Sequence, residues 1–246
     1  MLIAPIYQFV AANIPTIREA VFLGPPFLLL AATYLAIAGH LKTQRRTQTG
    51  YTRKTFHFLV FTTAVIVQIA GGTRPVCLFG ACTSLVIFYA LWRGDGHPFY
   101  EAMAREGDAP WRTYYIIVPY LTTLIGGIVS NALFGDFAII GYLVAGFGDA
   151  VGEPIGTRFG RHRYRVPSGR GVVSTRSLEG SLAVCLASAG AATAGAALLG
   201  VAVVPALAAR SAAIGILTAG LEAIAPHGWD NAPLQIAPAF LASLML

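Results

Sequence analysis

The sequence predicts an all-α fold, a polytopic integral membrane helical bundle of about seven spanning helices (roughly six to nine), because its apolar segments match the length of a bilayer crossing. Composition is the first observation behind this: 56% of the 246 residues are hydrophobic and 11% are charged, against roughly 25% charged in a soluble domain. Mean hydropathy is +0.66. Spacing is the second. Uncharged runs cover 20–41 (histidine aside), 55–73, 75–92, 113–135 and 180–209, each near the ~20 residues a helix needs to cross hydrocarbon. Third, no connecting loop is long enough to fold alone. A single transmembrane domain over 1–246 is expected, with the bilayer as its surroundings and no nucleic acid as partner.

Taken in chain order, residues 1–17 lack the basic start of a signal peptide, the first charges being Arg18 and Glu19. They either lie in the interface or form a short extra helix. Spans are then predicted near 20–40, 56–72, 75–92, 113–131, 137–152, 181–204 and 211–225, followed by a short apolar tail at 233–246. Cys77, Cys82 and Cys185 sit inside apolar runs without histidine neighbours, as packing residues do.

Basic loops stay on the cytoplasmic side of a membrane. The loops 41–54, 93–112 and 149–179 hold fourteen of the seventeen basic residues, leaving Arg18, Arg74 and Arg210 for the opposite side. The expectation is a multi-pass protein of a bacterial cytoplasmic membrane with its polar chemistry facing the cytoplasm. Asp95, Glu101, Glu106 and Asp108 stand in a mixed-charge loop and read as solvated.

Two uncharged runs are short. Twelve uncharged residues separate Asp136 from Asp149, and eleven separate Arg210 from Glu222. Either covers roughly 17 Å of a hydrocarbon core about 30 Å thick. Asp149 and Glu222 are then both inside the membrane, where ionisable groups face a wet cavity or a partner, unless the bilayer is locally thin.

Charge concentrates in "GDAVGEPIGTRFGRHRYRVPSGRGVVSTRSLEGS", residues 148–181, with three of eleven carboxylates and six of seventeen basic residues. Gly148, Gly152, Gly156 and Gly160 recur every fourth residue. On a helix this is a packing stripe; at a break it lets backbone N–H groups approach an anion. Both readings stand. Pro154 biases Glu153 out of the α region, so the helix is expected to break near 152–154. Arg158, Arg161, Arg163, Arg165 and Arg170 suit either anionic lipid heads or phosphate, and Arg176 opens "RSLEGS" where the next span begins. Arginine outnumbers lysine fifteen to two, and a guanidinium binds phosphate as a bidentate fork without losing its charge.

Acids and arginines on one surface are what a nucleotide triphosphate needs: carboxylates for magnesium and guanidiniums for charge spread over a transferred phosphoryl group. No Walker A loop, protein-kinase signature set, H-E-x-x-H or G-x-S-x-G is present. A transporter with buried carboxylates is the non-enzyme alternative; it would spread polar groups along a path across the membrane, whereas here they crowd one side.

"GDAVGEPIGTRFGRHRY" followed by "RSLEGS" resembles the polyprenol kinase family: dolichol, phytol and farnesol kinases and the CTP-dependent diacylglycerol kinases. "RKTFH" (Arg53, Lys54, His57) resembles the family's R-K-x-x-H, and Asp230 with Asn231 resembles its late D-N. Many members carry lysine where this chain has Arg176. The resemblance implies transfer of the γ-phosphoryl of CTP, with magnesium, to a membrane alcohol such as a polyprenol, phytol, farnesol or diacylglycerol. The motif also resembles phosphatidate cytidylyltransferases, which attack the α-phosphate of CTP.

Carried onto this chain, Asp149 is expected as magnesium ligand or general base, with Glu153 and Asp230 in the metal shell. Glu179 is expected to orient Arg176 or hold a second metal, unless it is a capping acid after Ser177 or Thr175. Phosphate contacts are expected from Arg53, Lys54, Gly148, Gly152, Gly156, Arg158, Arg161, Arg176, Ser177 and Gly180. His57, Glu222 and Asn231 complete the candidates, with positive-inside anchoring and an Asx turn as the competing readings at 53–57 and 230–231.

Overall fold

A computed structural model describes residues 3–246. Its order is α1 (Ile3–Ala12), α2 (Ile17–Thr43), α3 (Thr49–Gly71), α4 (Thr73–Arg93), α5 (Pro98–Glu101), α6 (Tyr114–Phe134), α7 (Ala138–Leu143), α8 (Asp149–Phe159), β1 (Arg163–Val166), β2 (Ser174–Ser177), α9 (Leu178–Leu198), α10 (Pro205–Ile224) and α11 (Pro233–Met245). The fold is an all-α polytopic membrane bundle. Among the described residues six helical stretches are long and apolar enough to span, and one of them, Tyr114–Phe159, holds the predicted fourth and fifth spans. Gly135 separates these two at φ +55°, a left-handed conformation glycine adopts without strain. The predicted segment 1–17 is described from Ile3 on, as α1; Met1 and Leu2 lie outside the described residues.

The chain groups into two compact units, one ending at Ile116 and one starting at Ile117. In the first, α2 packs against α3, α4 and α5. Its start is set by a capping box: the Glu19 N–H donates to Thr16 Oγ1 at 3.2 Å and the Thr16 N–H to Glu19 Oε2 at 2.7 Å. In the loop after α4 the solvated reading holds for Asp95 and Glu106, 75% and 67% exposed, and is corrected for Glu101 and Asp108. Arg112 reaches Glu101 Oε2 at 2.6 Å, Asp95 Oδ1 at 2.8 Å and the Ala104 carbonyl at 2.9 Å, and Lys42 pairs with Glu106. Asp108 is buried. A loop carrying both signs satisfies its charges internally and folds down. Burial works to raise the Glu101 carboxyl, but hydrogen bonds from Arg112 and the Gly96 N–H outweigh it and hold the group below the usual range.

In the second unit, α9 is the central element, packing on α8, α7 and α10, while α11 packs on α7 and α10. Ile140, Val144, Val184, Leu207, Ile214 and Leu234 form its fully buried core. The helix does not break at 152–154. It runs through Pro154 to Phe159, since a proline removes one backbone donor and the rest of the ladder survives. The irregularity comes earlier, as a π-helical turn over Val144–Gly148 that delivers Asp149 to the start of α8. Helices also extend past the charges that bound the short runs: α10 begins at Pro205 and holds Arg210, so its 20 residues are about 30 Å long.

Candidate functional site

The stretch 160–177, read from sequence as a basic loop, contains a β-hairpin. Arg163 pairs with Ser177, Tyr164 with Arg176, Arg165 with Thr175 and Val166 with Ser174. The connecting turn uses left-handed Arg170 (φ 59°) and Gly171 (φ 75°). The signal was present: "RYRV" and "STRS" flank the turn sequence "PSGRG". Ser177 then caps α9, its Oγ accepting from the Gly180 N–H at 3.1 Å.

The hairpin presents Arg176 to two acids. Its Nε lies 2.7 Å from Glu222 Oε1 and its Nη2 2.8 Å from Asp230 Oδ2, while Nη1 donates to the Ala225 carbonyl at 3.1 Å. All three nitrogens therefore have protein acceptors. The side chains of Arg176, Glu222 and Asp230 are 14%, 11% and 11% exposed, and Asp230 Oδ1 is buried without a hydrogen-bond partner. Arg176, expected from the sequence as a phosphate fork, is here engaged by carboxylates and a backbone carbonyl. Two further contacts fasten the hairpin to the turn after α10, from the His227 N–H to the Pro167 carbonyl at 2.8 Å and between Ser174 Oγ and His227 Nδ1 at 3.2 Å.

Glu179 does not orient Arg176. Its carboxylate turns back to His162, accepting from the ring Nδ1 at 2.8 Å and the backbone N–H at 3.3 Å. It occupies the second position of α9, where reaching the N-cap backbone as a capping-box acid does is replaced by closing the α8–β1 connection. Beside the cluster, Tyr164 OH and Ser181 Oγ are 2.7 Å apart, and Ser181 Oγ donates to Glu222 Oε2 at 3.5 Å. Burial chiefly raises the Tyr164 phenol, the Ser181 hydrogen bond and Arg176 opposing it and Glu222 adding to it. It is a neutral O–H at physiological pH.

The glycine stripe is a packing surface. A Cβ on Gly148 would lie 2.1 Å from Ser188 Oγ, one on Gly152 2.4 Å from Val184 Cγ2, and one on Gly180 2.9 Å from the Gly152 carbonyl. Gly156 would meet Ser177 Oγ at 2.9 Å. The helix that continues past Pro154 aims these positions at α9, so the packing reading holds over phosphate contact. Asp149, 5% exposed, and half-buried Glu153 stand one turn apart on α8. Asp230 does not join them: among the described residues no three His, Cys, Asp or Glu side chains gather as a metal site. Magnesium needs only one or two carboxylates when phosphates and water complete its shell, and the Asp149–Glu153 pair fits that requirement.

Arg158 and Arg161 are exposed. Asn231 has a structural role, donating to the Pro119 carbonyl at 2.9 Å and Thr123 Oγ1 at 2.8 Å, which ties α11 to α6. The first unit holds Arg53, Lys54 and His57 in the opening turns of α3; Lys54 is buried, and the His57 ring lies tilted against Phe61 with centroids 4.5 Å apart.

Among known proteins, the chain is similar to a phytol kinase from Synechocystis sp., with 29% identity over 221 residues, 87% of this chain and 88% of that protein. That supports assignment of the chain to the polyprenol kinase family. No protein-family model and no solved structure matches it.

Proposed function

We propose that this chain is a membrane lipid-alcohol kinase that transfers the γ-phosphoryl of CTP, with magnesium, to a prenol-type alcohol. The observation that carries the reading is the similarity, over most of both chains, to a protein named phytol kinase. In this reading the alcohol oxygen bonds to the γ-phosphorus, the bond to the β-phosphate oxygen breaks, CDP leaves, and the alcohol's proton passes to a carboxylate, Asp149 being the first choice. Glu153, with Asp149 where it is not the base, would hold magnesium, which would neutralise charge on the nucleotide's phosphates. Exposed Arg158 and Arg161 supply bidentate donors to the same phosphates. Arg176 acts indirectly, fixing Glu222 and Asp230.

The fourteen basic residues of the three loops support a cytoplasmic orientation in a bacterial inner membrane. A cysteine placed at Gly169 is expected to react with a thiol reagent from the cytoplasmic side, and labelling only from the outside would reverse the orientation. The reaction is tested by position-labelled CTP. Label on the γ-phosphate is expected in the lipid product and label on the α-phosphate in CDP. Recovery of α-label in a CDP-lipid would instead assign cytidylyltransferase chemistry.

A further inference from the structure

A groove of about 480 Å³ opens between the hairpin, the start of α9 and the end of α10. Its apolar wall is Pro167, Leu178, Ala223 and Ile224, and its polar wall is Tyr164 and Ser181. The apolar wall continues onto the outward faces of the two helices. Leu178, Leu182 and Leu186 are 60%, 59% and 65% exposed along α9, and Ile216 and Ile224 are 64% and 69% exposed along α10. In a bundle of bilayer-spanning helices such leucines and isoleucines face lipid, so the groove is continuous with the bilayer-facing surface.

The polar wall has its own order. The Ser181 hydroxyl donates to one oxygen of Glu222, whose other oxygen pairs with Arg176. With that hydrogen committed, the Tyr164 O–H is the donor of its 2.7 Å contact to Ser181 Oγ, and both oxygens keep lone pairs that can accept. Such a pair of acceptors suits a neutral O–H group, which donates a hydrogen bond to it. A carboxylate-headed lipid would meet Glu222 at its like charge. Arg165 on the rim places a cation where a phosphate monoester would emerge.

We propose that this groove seats the acceptor alcohol, its chain along Leu178, Ala223 and Ile224 and its hydroxyl against Ser181 and Tyr164. The proposal rests on the lipid-alcohol kinase reading for the identity of its occupant. Ser181 and Tyr164 are then positioning residues for the acceptor as it binds, before its hydroxyl meets the γ-phosphoryl group and Asp149.

The test is photo-crosslinking of a diazirine-bearing long-chain prenol to the purified full chain in nanodiscs, without nucleotide, with labelled positions mapped by peptide mass spectrometry. Crosslinks are expected at Leu178, Ala223 and Ile224, displaced by unlabelled prenol and not by excess phospholipid. Ala223→Trp, which fills the groove, is expected to cut crosslinking about tenfold and to raise KM for the alcohol with KM for CTP unchanged. Ser181→Ala is expected to raise KM for the alcohol about fivefold, as loss of one net hydrogen bond does. Leu186→Trp, further along the lipid-facing side of α9, serves as control. Crosslinks spread evenly over lipid-facing positions, or displaced equally by phospholipid, would overturn the proposal without any variant having to fold. The two readings separate cleanly. Competed crosslinks in the groove with no phosphoryl transfer from any nucleotide keep the groove and remove the kinase; γ-phosphoryl transfer with unchanged alcohol KM in Ala223→Trp keeps the kinase and removes the groove.

Discussion

The loop between α4 and α6 in the first unit and the hairpin in the second each gather carboxylates around one arginine, yet they differ in what surrounds them. Arg112 binds Asp95 and Glu101, whose side chains are 75% and 21% exposed. Arg176 binds Glu222 and Asp230, both 11% exposed. Water carries much of the charge in the first case, so that cluster folds a loop and does nothing that needs a ligand to complete it. In the second, two acids share one guanidinium with little water. Desolvation of charge is costly there, and buried charge of this kind concentrates at functional sites.

The sharpest way to break this comparison is Arg176→Ala. It leaves Glu222 and Asp230 buried without their cation, a change that costs about 3–5 kcal/mol. The expected result is loss of folded protein in a detergent-resistance or thermal assay. Arg176→Lys keeps the charge but engages fewer acceptors, so it is expected to fold and to retain partial activity. Stability of Arg176→Ala equal to the parent's would mean that the cluster is no more demanding than the exposed one.

Asp149→Asn comes next. Folding is expected to survive, since an amide is cheaper to keep in apolar surroundings than a carboxylate. Turnover is expected to fall at least ~100-fold, the lower end for loss of a general base, measured as γ-phosphoryl transfer per mole of folded protein with magnesium varied. Asp95→Asn, at the most exposed acid of the first unit's cluster, is the matched control and should leave activity nearly unchanged. Asp108 would not serve, being buried. Near-normal turnover with normal magnesium dependence in Asp149→Asn would move the chemistry to Glu222 and Asp230.

The smallest effect belongs to Arg112→Ala, about 1 kcal/mol, as for partly solvated pairs. Its pH dependence carries the sign. The Glu101 carboxyl lies below its ordinary 4.5 in the folded chain, so its contribution is fully present above that pH. It is lost as acid takes the pH down through the lowered folded value. Thermal unfolding of the parent from pH 7 to pH 3 should show this decline, and Arg112→Ala should flatten it. An identical decline in both would show that Arg112 is not the group holding Glu101 down.

Much of this fold could be read from the chain because bilayer crossing imposes length and hydropathy on each helix, from 55–73 for α3 to 180–209 for α9. The limits lay where tertiary contacts override a local signal. Pro154 reads as a break, yet α8 continues because Gly148 and Gly152 hold it against α9. Asp108 reads as solvated, yet its loop folds onto its own charges. At the candidate site, the sequence picks out Arg176, Glu222 and Asp230 separately and in different roles. Their meeting depends on a hairpin register and on where α10 ends, and neither follows from local pattern.

The contact between α8 and α9 has a mechanical side. Where Gly148, Gly152 and Gly180 lie, backbone and the stubs of Ser188 and Val184 touch with no flexible side chain between them. Such a joint has no cushion: the helices can neither roll nor slide past one another without steric overlap, and they travel as a single rigid lever. One arm of the lever carries Asp149. The other carries Ser181 and the lipid-facing leucines of α9. One packed contact thus sets the spacing between the acid and the lipid-facing side of α9.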